Sequence, residues 1–268
     1  MSESGYSSDE DCFYRDQLRR LRKLYKIKGL VQKAAHGDIY VGTVRSSKEE
    51  AVFKIVKKVK TQSTIYNGQR VPAEAKFQYL ACKADPDGTV RLMDVFEREK
   101  DYILVMEKPT NSLDLLDFVN NYGQLDLKTT RQICRQLAKS SLLYDQIVHR
   151  DLKDENVMFD PMTGNTKIID FGNACYSNSK QVYEFGTEAF YAPEHGSKNV
   201  DIEKLTTYTI GCIAFTILTG SSPFGTNFDF HRHVLFNHLL SKAERTLLSS
   251  LLCPEPRKRA SLLDIVKM

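Results

Sequence analysis

His149-Arg150-Asp151-Leu152-Lys153-Asp154-Glu155-Asn156 is the stretch on which the reading of this chain turns. Nineteen residues after Asp151 comes Asp170-Phe171-Gly172, and further on comes Ala192-Pro193-Glu194. Each triplet by itself arises by chance in many chains, and a duty as helix cap would explain any one of them. All three, in this order and at these separations, leave no room for coincidence.

Together they form the catalytic-loop, metal-binding and activation-segment set of protein kinases, which this chain therefore resembles. Phosphoryl transfer asks the protein mainly for positioning and charge stabilisation, since phosphate and metal carry the rest. Asp151 is the candidate to orient or accept the proton of a substrate hydroxyl. Asn156 and Asp170 are the candidate ligands of the Mg²⁺ ions that bridge the phosphates. Lys153, two residues past the base, is placed to neutralise the transferring group and is the residue type of serine/threonine rather than tyrosine kinases.

Working upstream, Ala51-Val52-Phe53-Lys54 fits the third-strand motif whose lysine meets the α- and β-phosphates of ATP. Glu74, 20 residues on, is the carboxylate expected to fix that lysine. The pattern departs at the phosphate-covering loop, where glycines ordinarily let backbone approach phosphate. The aligned stretch is Gln32-Lys33-Ala34-Ala35-His36-Gly37-Asp38-Ile39, which keeps only the third glycine. Gln32 and Ala34 stand where the first two belong, and a weaker grip on nucleotide is the expected consequence.

The rest of the chain supports two lobes. From Tyr25 to Glu107 apolar residues alternate or come in short runs. Strands are predicted around Ile39–Val44, Ala51–Val56, Val90–Phe96 and Tyr102–Met106, with a turn at Arg98–Asp101. Pro72 is read as part of the first turn of a helix whose formers run from Ala73 to Lys83. After Lys108-Pro109 the spacing of Leu115, Phe118 and Val119, then Ile133, Leu137 and Tyr144, becomes helical. Short strands return around Val157–Phe159 and Lys167–Ile169. The expected architecture is α+β and bilobal: a small antiparallel sheet lobe with one main helix over 25–107, a hinge at 107–109, and a larger helical lobe over 110–268. Residues 1–24 are read as an extension in which the polar, acidic residues 1–12 are disordered.

Composition agrees with a globular enzyme. The 268 residues are 41% hydrophobic and 27% charged, and the net charge of +4 is too small to call for nucleic acid. The basic segment Arg15 to Lys28 is read as a solvated helix face. The apolar part of Leu205–Phe228 is interrupted by Thr and Gly and is read as a buried core helix, not a membrane span. Six cysteines without a CxxC pair, and no apolar leader, predict reduced thiols in a cytoplasmic or nuclear protein.

Within the kinases the chain resembles the PIM serine/threonine type, as a compact or divergent member. The stretches that carry this are Asn67-Gly68-Gln69-Arg70-Val71-Pro72, Arg91-Leu92-Met93-Asp94-Val95-Phe96-Glu97-Arg98, Asp114-Leu115-Leu116-Asp117-Phe118, and Phe185-Gly186-Thr187. Glu107-Lys108-Pro109 resembles the PIM hinge, whose proline lacks the N–H usually offered to adenine. The resemblance implies an adenine bond to the Glu107 carbonyl, a sandwich of Ile39, Val52 and Met158, and Met106 at the back of the pocket. Asp114 joins these nucleotide contacts, with Gln32, Ala34, Gly37, Lys54 and Glu74. It also implies that Asp114, Asp117 and Glu155 select arginine-rich protein substrates, because guanidinium forks pair well with carboxylates. Glu194 and Arg259 match the family's buried ion pair, and Thr206 stands where most kinases place an aspartate. The expectation is an ATP- and Mg²⁺-dependent monomeric serine/threonine kinase that engages neither membrane nor nucleic acid. The alternative is a feeble or inactive kinase-fold scaffold, for which only the altered glycine loop speaks.

Overall fold

A computed structural model describes residues 8–34, 37–179, 186–197, 200–221, 234 and 238–268. Residues 1–7, Ala35-His36, Phe185 and the end of the apolar stretch at Phe228 lie outside the described residues. The chain divides into two compact units, Met1–Tyr79 with Val90–Lys108, and Leu80–Thr89 with Pro109–Met268. The architecture is α+β.

The first unit contains α1 (Ser8–Leu24), β1 (Tyr25–Ala34), β2 (Gly37–Val44), β3 (Glu50–Lys57), β4 (Ser63–Tyr66) and β5 (Gln69–Pro72). Next come α2 (Ala73–Ala84), β6 (Leu92–Glu97) and β7 (Asp101–Glu107). Five strands form an antiparallel sheet in the order β1-β2-β3-β7-β6, and β4 and β5 pair as a separate hairpin. Strand alternation decides the two faces of the sheet. Ala51, Phe53, Ile103 and Val105 point one way and pack with Phe96, Leu21 and Tyr25. Val56, Tyr102 and Leu104 point the other way and pack with Val71 and Ala75 beneath α2.

The predicted disorder of residues 1–12 is corrected from Ser8 onward, because Ser8–Leu24 is helical. Local composition is overruled by packing: Leu18 and Leu21 fall on one helical face and settle on the sheet beside Tyr25, the first residue of β1. Asp94 holds that end of the helix, meeting Arg20 Nη2 at 2.5 Å and accepting from the Tyr25 hydroxyl at 2.5 Å. The first unit therefore has a second helix, of which the basic helix face read from Arg15 to Lys28 covers only the later half and runs too far, since Tyr25–Lys28 begin β1. Pro72 is also corrected: it closes β5, and α2 starts one residue later.

The second unit begins with β8 (Leu113–Asp114), α3 (Leu115–Tyr122), α4 (Leu127–Leu143), β9 (Ile147–Val148), β10 (Val157–Asp160) and β11 (Asn165–Ile168). It continues with β12 (Cys175–Tyr176), α5 (Ile202–Thr219), α6 (Lys242–Leu251) and α7 (Leu262–Lys267). Helix α5 is buried almost continuously from Thr207 to Leu218 and forms the centre of this unit. Among the described residues no helix is long and apolar enough to cross a membrane. All six cysteines are free thiols.

Candidate active site

The loop between β9 and β10 carries residues 149–156, and its fold follows from a few directional bonds. His149 is buried, its Nε2 lies 2.9 Å from the Ile169 carbonyl, and its ring meets Phe171 edge-on at 4.8 Å. The Asn156 side-chain amide donates to the Asp151 carbonyl at 2.8 Å and closes the loop on itself. Arg150 and Asp170 both take left-handed backbone, at φ 64° and 62°. Such conformations in residues with side chains are strained and gather at working sites.

Asp151 receives two donors at once. The Thr187 hydroxyl donates to Oδ1 at 2.7 Å, and the Asn173 amide donates to Oδ2 at 3.4 Å. Lys153 Nζ lies 3.9 Å from Asp151 Oδ2, donates to Thr187 Oγ1 at 3.3 Å and pairs with Glu155 Oε2 at 2.8 Å. Burial pulls the Lys153 pKa down, but the Glu155 bond and the charges of Asp151, Glu155 and Asp170 outweigh it and leave it raised. The ammonium therefore stays charged beside the carboxylate. Thr187 and Asn173 were not read as partners of Asp151 from sequence. For Thr187, the Gly-Thr step before Ala-Pro-Glu was the available signal. Gly186 is needed there because its φ is +128° and a Cβ would come 2.5 Å from the Arg150 carbonyl oxygen.

Ile169 donates its backbone N–H to the Asn156 carbonyl at 3.0 Å, which sets Asp170 beside Asn156. Asp170 Oδ1 accepts from the Gly172 N–H at 3.1 Å. The Asn156 amide oxygen and the Asp170 carboxylate are hard oxygen donors, of the kind Mg²⁺ takes alongside substrate phosphates and water. The residues present fit that ion.

A second acidic group surrounds the start of α3. Asp114 caps that helix, accepting from the Asp117 N–H at 2.8 Å, and pairs across the β8–β10 ladder with Met158. Burial first, then the negative charges of Asp117 and Glu155, raise the Asp114 pKa. Asp154 is raised in the same way, by burial and then by its acidic neighbours. The structure thus brings Asp114, Asp117 and Glu155 into one repulsive cluster. Glu194 lies in a two-pronged bond to Arg259 at 2.6 and 3.0 Å, with the arginine side chain wholly buried. The Thr206 hydroxyl turns back on its own helix, donating to Ile202 at 2.9 Å.

In the first unit Lys54 Nζ meets Glu74 Oε1 at 2.7 Å. The ladders place Ile39 opposite Lys54 and Val52 opposite Met106, so these four share the sheet face away from α1. Gln32 pairs with Ile39, Lys33 with Asp38 and Ala34 with Gly37, so after register shifts at Ile27/Gly29 and Leu30/Gln32 the β1–β2 ladder is in step over Gln32–Ala34. Gly37 has φ +143°, and a Cβ there would overlap the Ile55 carbonyl oxygen. The surviving glycine is fixed by the neighbouring strand. The Glu107 carboxylate accepts from the Arg91 N–H at 3.2 Å, tying the end of β7 to the approach to β6.

The family model described as protein kinase domain matches residues 25–268. Serine/threonine-protein kinase prk-2 of Caenorhabditis elegans is 29% identical over 254 residues, covering 91% of this chain and 57% of that protein. Serine/threonine-protein kinase pim-2 of Danio rerio is 28% identical over 262 residues, covering 91% of this chain and 84% of that one. The chain therefore spans little more than half of prk-2 and most of pim-2. The crystal structure of Rad53 1-466 in complex with AMP-PNP is similar with a TM-score of 0.66 at 24% identity, over 92% of this chain and 65% of that one. At that identity the likeness speaks for the fold alone.

Proposed function

The chain belongs to the protein kinase family, and from that premise we propose that it transfers the γ-phosphoryl group of ATP to serine or threonine hydroxyls beside arginine. The observation that carries the reading is the Thr187 hydroxyl, 2.7 Å from Asp151 and 3.3 Å from Lys153. An alcohol there donates to a carboxylate while an ammonium lies on its oxygen, which is the arrangement a substrate hydroxyl needs. Asp151 orients that hydroxyl and takes its proton. Lys153 lies against the charge that develops on the transferring group. Asn156 and Asp170 would hold Mg²⁺, which would supply neutralisation of the phosphate oxygens. Lys54, pinned by Glu74, takes the α- and β-phosphates.

The finer reading is a PIM-type kinase with basophilic specificity. It is supported by the placing of Asp117 and Glu155 near the half-buried Asp114, whose carboxyl is raised by burial and then by their charges, a group of carboxylates suited to a guanidinium. On the PIM resemblance, Pro109 lacks the N–H usually offered to adenine, which points to the Glu107 carbonyl and to apolar packing by Ile39 and Val52, with Met106 behind. Six free thiols suit a reducing compartment, cytoplasm or nucleus. The chain acts as a monomer. A non-catalytic scaffold retains only the Gln32 and Ala34 departures in its favour, while the whole catalytic set is present.

The test is phosphate transfer from Mg-ATP to two peptides with one acceptor serine, one with upstream arginines and one with upstream glutamates. The arginine peptide is expected to react far faster. Equal rates would remove the basophilic reading and leave the kinase, whereas no transfer to either would remove both.

A further inference from the structure

Helix α2 carries Glu74 and, four residues on, Gln78, so the two side chains leave the same face of the helix one turn apart. Gln78 is fully buried, at 0% exposure. Its Nε2 donates to the Val90 carbonyl at 3.0 Å, while its Oε1 finds no partner. A buried amide oxygen without a donor carries a desolvation penalty that leucine or methionine at this position would avoid. The neighbours Ala75, Phe77 and Ala81 are apolar and buried, so an amide is out of place for packing.

We propose that Gln78 is a positioning residue for the nucleotide-binding lysine: its bond to Val90, at the lead-in to β6, holds α2 in the rotation at which Glu74 reaches Lys54. This rests on the reading of Lys54 as the phosphate-binding lysine. Lys54, Glu74, Gln78 and Val90 all belong to the first unit. Apolar contacts of Val71 and Ala75 with Val56, Tyr102 and Leu104 press α2 onto the sheet, but such contacts are non-directional and fix no rotation. Two directional bonds do. Glu74 reaches β3, and Gln78 reaches the entry to β6, two strands across in the order β3-β7-β6. A helix tied at two points of the sheet can neither roll nor tilt without breaking one of them.

The test is calorimetric binding of Mg-ATP to the full chain and to Gln78→Leu and Gln78→Met, each also in a Glu74→Gln background, with melting temperatures alongside. Both variants are close in volume and remove the orphan oxygen, but they also take the donor from the buried Val90 carbonyl, so melting temperatures are expected to change little. ATP affinity is expected to fall roughly fivefold, the worth of one directional hydrogen bond. In the Glu74→Gln background the same changes are expected to add nothing, because the ion pair they position is already gone. Unchanged affinity in the single variants, equal losses in both backgrounds, or loss of fold in both variants would each overturn the inference. An unaltered chain that bound no Mg-ATP would instead bring down the nucleotide reading, and this inference with it.

Discussion

The Lys54 ammonium lies 2.7 Å from the Glu74 carboxylate, with only 5% and 4% of the two side chains exposed. A pair so deeply buried has exchanged water for protein partners, and its attraction only offsets what desolvation takes away. Its value lies in fixing where the positive charge sits.

Removing one partner is therefore worse than removing both. Glu74→Ala takes from a buried ammonium the carboxylate 2.7 Å away and is expected to lower stability by about 3–5 kcal/mol in urea denaturation. The double change Lys54→Met with Glu74→Leu is expected to regain most of that stability while phosphate transfer stays lost. A double variant no more stable than Glu74→Ala would show that the pair is not the source of the loss.

Asp114 ties the stability of the chain to pH. Its carboxyl is raised by burial and then by the charges of Asp117 and Glu155, so the folded chain holds that proton more tightly than the unfolded chain does. Its contribution to stability therefore falls as pH rises from the ordinary value of 3.8 through the raised folded value. Asp114→Asn keeps a good helix cap and removes the charge. Its melting temperature at neutral pH is expected to equal or exceed that of the parent, while the Michaelis constant for the arginine peptide rises several-fold.

Gly37→Ala places a side chain at φ +143°, against the Ile55 carbonyl. The change is expected to destabilise the chain by about 1–3 kcal/mol, typical of strained backbone, and to raise the Michaelis constant for ATP. A variant matching the parent in melting temperature and ATP dependence would contradict the tight β2–β3 approach.

Activity is expected without phosphorylation of the activation segment. The Arg150 guanidinium already donates to the Asn173 carbonyl, so it has an internal acceptor. Of the segment hydroxyls, Ser177, Ser179 and Thr187 are described, while Tyr183 and the acidic Glu184 lie outside the described residues. Phosphatase-treated chain is expected to keep its rate. Thr187→Val is expected to lose activity roughly a hundredfold while Thr187→Ser keeps it, because the hydroxyl on Asp151 and Lys153 is what matters.

The catalytic set was legible because its chemistry is written in contiguous residues: His149 to Asn156 and Asp170 to Gly172 each sit on one loop. Lys54 and Glu74 were legible as a pair only within that frame. Helix α1 was legible only from Arg15, as a basic helix face, since its polar start reads as disorder and depends on Leu18 and Leu21 finding the sheet. The β4–β5 hairpin was passed over although Asn67-Gly68 stands at its turn, because its strands are four residues each and too short for clear alternation. The Asp151 partners Thr187 and Asn173 and the buried Gln78 were illegible for a common reason. Each is an ordinary polar residue whose duty comes only from what the fold sets beside it.

The most direct measurement is transfer of the γ-phosphate of ATP to an arginine-rich peptide by the intact chain and by Asp151→Asn. The intact chain is predicted to phosphorylate the serine. The variant is predicted to lose roughly 10²–10⁴ in kcat, the usual share of a positioned acid–base group, while still binding ATP. Equal transfer by the two proteins, or none by the intact chain, would contradict the account.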